Sequence, residues 1–219
     1  MKRANSRRAD GTLERKVAAA PYDPAHHRFN DGRCDPQGRL FAGTMNEKRD
    51  AASAALYRLD ADFTVTEIFG GLTISNGLAW SPDGRTMYHA DTTVQTINAF
   101  AFDASSGTPS APRELARFTG DGDRPDGAAV DSEGCYWTAF YGGGRVLRLS
   151  PAGAILRECA VPAMCPTMCA FGGDDLRTLY VTSARQRRDH AELARLLLSG
   201  GIFAMRVDVP GLPEPAFAG

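Results

Sequence analysis

A strand–turn–strand unit that recurs along the chain limits the possible folds more than any other feature. Its clearest copy is Ile74-Ser75-Asn76-Gly77-Leu78-Ala79-Trp80-Ser81-Pro82-Asp83-Gly84-Arg85-Thr86-Met87-Tyr88-His89-Ala90-Asp91-Thr92. Apolar and aromatic residues fill both halves. Pro82-Asp83-Gly84 makes the turn through a preset φ, a side chain that bonds its own backbone, and a residue free to take φ > 0. An earlier copy starts at Asn30-Asp31-Gly32, turns at Asp35-Pro36-Gln37-Gly38 and continues through Leu40-Phe41-Ala42-Gly43-Thr44. A later one starts at Pro125-Asp126-Gly127, turns at Asp131-Ser132-Glu133-Gly134 and continues through Tyr136-Trp137-Thr138-Ala139. A weaker fourth copy begins near Pro166-Thr167, turns at Gly172-Gly173-Asp174-Asp175 and runs on to Ser183. The copies lie roughly 40 to 50 residues apart, the spacing of four-stranded propeller blades. In the blade from Asn76 to Gly120 the pattern predicts strands over 77–81, 86–91, 96–102 and 114–118.

The rest of the chain fits one all-β domain over residues 11–219. With 219 residues, 43% hydrophobic, Gly 23 and Pro 13, the composition suits many short strands and turns. Residues 1–10 are basic, lack the apolar core of a signal peptide, and are expected to form a disordered leader. The segment from Thr12 to Val17 alternates weakly and reads as a leftover outer strand, which with the four repeats makes about four blades plus one strand. A formal net charge of -1 gives no reason to expect nucleic acid or an anionic membrane as partner. No apolar run is long enough to span a bilayer as a helix. Five cysteines (Cys34, Cys135, Cys159, Cys165, Cys169) are an odd number in a chain too long to need staples. They read as reduced, partly buried thiols of a cytoplasmic protein.

The repeat is interrupted from Gln186 to Ser199, where helix formers replace turn residues and Leu193, Leu196 and Leu197 share one helical face. This is expected to be a helical insertion packed on the rim. The proline-rich stretch from Pro210 to Gly219 reads as a surface tail.

Six short motifs in order resemble the regucalcin family, also called senescence marker protein or gluconolactonase. They are Arg28-Phe29-Asn30-Asp31-Gly32, Ala42-Gly43-Thr44-Met45, Ser75-Asn76-Gly77, Pro125-Asp126-Gly127, Tyr141-Gly142-Gly143-Gly144-Arg145-Val146 and Gly200-Gly201-Ile202-Phe203. The resemblance extends to the C-terminal Phe217-Ala218-Gly219. It implies a six-bladed-type β-propeller, one divalent metal ion at a mouth of the central channel, and hydrolysis of a small-molecule sugar lactone. It also implies, residue by residue, that Asn76 is an amide metal ligand and that Asp126 is a metal-binding carboxylate and the general base. Arg28 and Asn30 match positions that hold substrate oxygens. Asp31 is assigned to structure, and Lys48 stands where some relatives place a substrate-contacting acid.

The chemistry suits such a site. Lactone hydrolysis needs an electrophile on the carbonyl oxygen, a positioned water and a base. A divalent cation supplies the first and acidifies bound water. Amide and carboxylate oxygens suit calcium, magnesium or manganese as well as zinc, so the ion's identity stays open. Asn76 and Asp126 occupy equivalent positions in successive repeats and are expected at one height around the axis. The family's first metal ligand, a glutamate in a Glu-Gly-Pro motif, has no counterpart, since Glu14 lacks that context. The resemblance therefore implies a propeller lacking its N-terminal part, and sets lactone hydrolysis against an alternative, a non-catalytic propeller fragment or binding module. No Gly-x-Ser-x-Gly nucleophile motif is present. The glycine run at 142–144 precedes no helical pattern and reads as an interstrand turn rather than a phosphate cradle.

Overall fold

A computed structural model describes residues 3–7, 10 and 12–219. Apart from a short hairpin at the start, the strands form four successive antiparallel meanders of the β-propeller type. The first joins β3 (His27–Cys34), β4 (Leu40–Asn46), β5 (Ala54–Leu59) and β6 (Val65–Leu72) in sequence order. The second joins β7 (Ser75–Trp80), β8 (Thr86–Asp91), β9 (Thr96–Asp103) and β10 (Thr108–Arg117). The third joins β11 (Arg124–Val130), β12 (Tyr136–Tyr141), β13 (Arg145–Leu149) and β14 (Ile155–Ala160). The fourth holds three strands, β15 (Cys165–Gly172), β16 (Thr178–Ala184) and β17 (Ile202–Arg206). Two compact units emerge: one contains the chain up to Ser75 with Pro215–Gly219, the other Asn76–Glu214.

Within the second unit, inner strands are buried on both faces and outer strands only in part, as stacked sheets require. Every residue of β7 is buried, while β14 is mostly exposed. The second and third sheets meet through Ala79, Tyr88, Ala90, Ile97 and Ala99 against Ala128, Val130, Tyr136 and Leu149. The third and fourth meet through Trp137, Ala139 and Val146 against Cys169, Leu179 and Val181. Large and small side chains alternate across these interfaces, which lets neighbouring sheets approach closely.

The acid of each turn does more than favour a bend. Asp131, fully buried, accepts hydrogen bonds from the backbone N–H of Glu133 and Cys135 at 3.0 Å, and from Trp137 Nε1 and Arg148 Nε at 2.8 Å. Asp35 repeats the pattern in the first unit, accepting from Gln37 N, Arg39 N and Arg39 Nε. A buried carboxylate is tolerated because it is paired and its oxygens are bonded. This explains the acid–glycine spacing read from sequence.

Three elements differ from the sequence reading. The last strand of the second sheet begins at Thr108 rather than near residue 114. Pro109 and Pro112 hide it, and a register shift between Ser110 and Arg113 accommodates them on an edge strand. Of the expected leader, residues 1, 2, 8 and 9 lie outside the described residues, whereas β1 (Arg3–Arg7) pairs antiparallel with β2 (Leu13–Ala19). In the insertion, α1 spans only His190–Arg195, capped by Asp189, whose carboxylate accepts from Glu192 N at 2.7 Å. Leu197 therefore falls beyond the helix and is 80% exposed.

The C-terminal stretch is held by hydrogen bonds. In the second unit, Pro210 O accepts from Ser132 N and Gly211 N donates to Leu176 O. In the first, Ala218 N donates to Gly38 O at 3.0 Å, and Phe217 packs at 6.0 Å from Phe63.

Burial also sets a pH response. His89 on β8 is 1% exposed, and desolvation lowers its pKa to about 3 from an ordinary 6.5. The unfolded chain then binds one proton more than the folded chain between these values. Its contribution to stability is complete above about pH 6.5 and is lost as pH falls, by up to about 1.4 kcal/mol per pH unit. Urea unfolding of His89→Gln between pH 4 and 7 is expected to show a shallower slope than the unsubstituted protein. Parallel slopes would remove His89 as the source.

Candidate functional site

The candidate metal ligands Asn76 and Asp126 both belong to the second unit, near the starts of β7 and β11. Asn76 is 4% exposed, and its Nδ2 donates to Thr92 Oγ1 at 2.7 Å. Thr92 Oγ1 in turn donates to Pro125 O at 2.8 Å, the residue before Asp126. One buried hydroxyl thus joins the amide of one sheet to the backbone that carries the carboxylate of the next. The bond also fixes which end of the amide is which: nitrogen towards Thr92, oxygen the other way.

Glycines make this approach possible. Gly77 has φ +64°, and a Cβ there would lie 2.2 Å from Tyr136 Oη and 3.3 Å from Asp126 O. Tyr136, fully buried, donates its hydroxyl proton to Gly77 O at 2.8 Å and pins that corner. Gly127 is equally confined, since a Cβ would meet Met168 Sδ at 2.4 Å and Thr167 O at 2.8 Å. The Asn-Gly and Asp-Gly pairs therefore serve close packing between successive sheets as well as turn formation. Asp126 itself is half-buried.

The candidate substrate-holding residues lie in the first unit and touch one another. Arg28 Nη1 donates to Asn30 Oδ1 at 3.2 Å and to Phe29 O at 2.9 Å, and Asn30 Nδ2 donates to Ser75 O at 2.9 Å. Glu47 Oε1 stands 3.9 Å from Arg28 Nε. An acid thus faces Arg28 one residue before the Lys48 position read from sequence. Asn46 Oδ1 accepts from Lys48 N at 2.9 Å and folds the chain back just after β4. Tyr22, which carried no sequence motif, accepts from Phe29 N at 3.2 Å and packs edge-on against the Phe29 ring. Asp31 is 7% exposed and accepts from Gly32 N at 2.8 Å.

Other titratable groups are poor catalysts by position. All five cysteines are free thiols, and burial pushes Cys135 and Cys165 upward, away from the reactive thiolate. His89 is buried and neutral. Among the described residues no group of three or more His, Cys, Asp or Glu converges. An amide oxygen and a carboxylate, the donors that the candidates Asn76 and Asp126 would offer, fit a hard divalent cation rather than a thiolate-seeking one.

Thr92 and Tyr136 could not have been found by motif. A buried threonine in the turn after β8 and a tyrosine opening β12 gain meaning only when the sheets are stacked.

Comparison with known proteins places these features in a family. The SMP-30/Gluconolactonase/LRE-like region matches residues 3–185. A Pseudomonas putida protein named 6-deoxy-6-sulfogluconolactonase is 51% identical over 213 residues, which cover 96% of this chain and 72% of the relative. Human regucalcin is 39% identical over 210 residues, covering 93% of this chain and 70% of its own length. A crystal structure of an Agrobacterium tumefaciens regucalcin, titled a calcium-binding protein, superposes with a TM-score of 0.90 at 33% identity. It is matched over 95% of this chain and 70% of that one. With most of its length matched and its repeats folded as antiparallel meanders, the chain belongs to the SMP-30/gluconolactonase/LRE-like family.

Proposed function

We propose that this protein hydrolyses a sugar lactone with the help of one divalent cation, held in part by Asn76 Oδ1 and the Asp126 carboxylate. The observation that carries this reading is the Asn76–Thr92–Pro125 hydrogen-bond chain, which ties the two ligand positions together across adjacent sheets. The names of relatives support the reaction class, since the Pseudomonas protein is named for a lactone and a Bacillus subtilis relative at 38% identity is named a putative sugar lactone lactonase.

A bound cation would supply electrophilic polarisation of the lactone carbonyl. Asp126 takes the proton from the attacking water as its oxygen bonds to the carbonyl carbon. The ring C–O bond then breaks, and the leaving alkoxide takes up a proton to give the open hydroxy acid. Asn76 holds its position because its nitrogen is committed to Thr92, and its amide oxygen is the hard donor suited to such an ion. Arg28 and Asn30, already hydrogen-bonded to each other, are suited to hold substrate oxygens, with Glu47 setting the orientation of the guanidinium.

The test is proton release from a panel of aldonolactones, followed with a pH indicator against the spontaneous rate. Acceleration of at least one lactone well above background is expected. A flat response across five- and six-membered aldonolactones, with divalent ions present, would end the hydrolase reading.

A further inference from the structure

The loops beside Asp126 carry a cation that the reaction above does not use. Arg124 is the first residue of β11, two positions before Asp126, and is exposed. On an extended strand that separation is roughly 7 Å. Its backbone pairs with Tyr141, and its guanidinium extends over the glycine turn that follows β12: a Cβ added at Gly142 would lie 3.7 Å from Arg124 Nη1. Gly142 has φ +90°, and a Cβ at Gly122 would come within 2.4 Å of Gly142 O. The two short loops are thus without side chains at Gly122 and Gly142, where Arg124 projects.

Its basic neighbours are neutralised. Arg145 is bonded to Asp123 and to Gly143 O. Arg188 is gripped by the buried Glu192 through two hydrogen bonds. Arg124 makes no ion pair and no side-chain hydrogen bond among the described residues, and Asp121, exposed in the loop before it, does not pair with it. An arginine left unpaired beside a reaction centre, with glycines clearing its approach, is a fork of N–H donors for a tetrahedral oxyanion.

We propose that Arg124 binds a strong-acid substituent, a sulfonate or phosphate, on the carbon of the lactone farthest from its carbonyl, and so selects anionic over neutral sugar lactones. This rests on the lactonase reading and on Asp126 as the centre from which the distance to Arg124 is measured. The Pseudomonas relative's name, with its sulfonate at carbon 6, describes a substrate of this class.

The experiment compares glucono-1,5-lactone with its 6-sulfonate and 6-phosphate analogues in the unsubstituted protein, Arg124→Met and Arg124→Lys. Methionine keeps the length of the apolar stem at an exposed position, and a thermal melt checks the fold. Arg124→Met is expected to lower kcat/KM for an anionic lactone roughly 10- to 100-fold, the range of one charge-assisted hydrogen-bonded contact. The neutral lactone should change less than about threefold, and Arg124→Lys should recover part of the loss. A larger loss on the sulfonate or on the phosphate tells which anion the fork fits. Equal losses on charged and neutral lactones, or no loss on either anion, overturn the proposal while leaving hydrolysis intact. If the unsubstituted protein opens none of the three, the lactonase reading fails. Calorimetric titration with 6-deoxy-6-sulfogluconate and with gluconate then decides for Arg124 alone: weaker binding of only the sulfonated acid by Arg124→Met supports the role, and unchanged binding refutes it.

Discussion

Asp126→Ala is expected to lower lactone hydrolysis by roughly 100-fold or more, the usual contribution of a positioned general base. The substitution removes two roles at once, proton acceptor and ligand, so a second variant is needed to separate them. Asp126→Asn keeps an oxygen donor in nearly the same place but cannot accept a full proton. If Asp126 is chiefly the base, both variants lose activity alike and raising the pH restores part of it, as hydroxide replaces the missing acceptor. If it is chiefly a ligand, Asn retains more activity than Ala, and added metal recovers part of the loss. Full activity in both variants would dismiss Asp126 from the chemistry. The fold should survive either change, because Asp126 is half-buried and lies beside, not within, the apolar contacts of Ala128 and Val130.

Removing divalent ions should have the largest effect of all. Dialysis against a strong chelator is expected to abolish turnover, and re-addition of calcium, magnesium, manganese or zinc should restore it to different degrees. An amide and one carboxylate compensate only half of a 2+ charge, so affinity from these two ligands is modest and chelation should be quick. A second readout is independent of catalysis. An ion that binds only the folded chain raises its stability by about 2.7 kcal/mol at a hundred times its dissociation constant. The melting temperature should therefore rise with added ion in the unsubstituted protein and respond less in Asn76→Ala. Turnover that persists after chelation, with a melt indifferent to metal, would dismiss the cation from the mechanism.

Sequence disclosed the repeat because its signals are local. Asp35, Asp83 and Asp131 each bond backbone N–H groups within four residues, so their spacing to glycine is written along the chain. The strand over 108–113 stayed hidden because its residues are poor strand formers that an edge position tolerates. Asn76 and Asp126 stand out as candidates through their equivalent repeat positions together with the family resemblance, since Asn-Gly and Asp-Gly pairs alone are ordinary turn formers. Thr92 was not, since its partners lie 16 and 33 residues away and no periodicity marks it. The ion pair between Glu47 and Arg28 is not written in the sequence either, since the two lie on opposite sides of the β3–β4 hairpin. In each case the missed group acts across elements rather than along one.

Thr92 has an implication for ion selection. With its hydroxyl wedged between an amide nitrogen and a main-chain carbonyl, Thr92 lets the chain itself set the spacing of the two sheets at this corner. On the proposed reading, a cation poorly matched in size to the two ligand positions would have to flex two stacked β-sheets rather than one loose side chain. Size discrimination would then be a property of the scaffold's stiffness, and Thr92→Val should widen the range of ionic radii that the protein accepts.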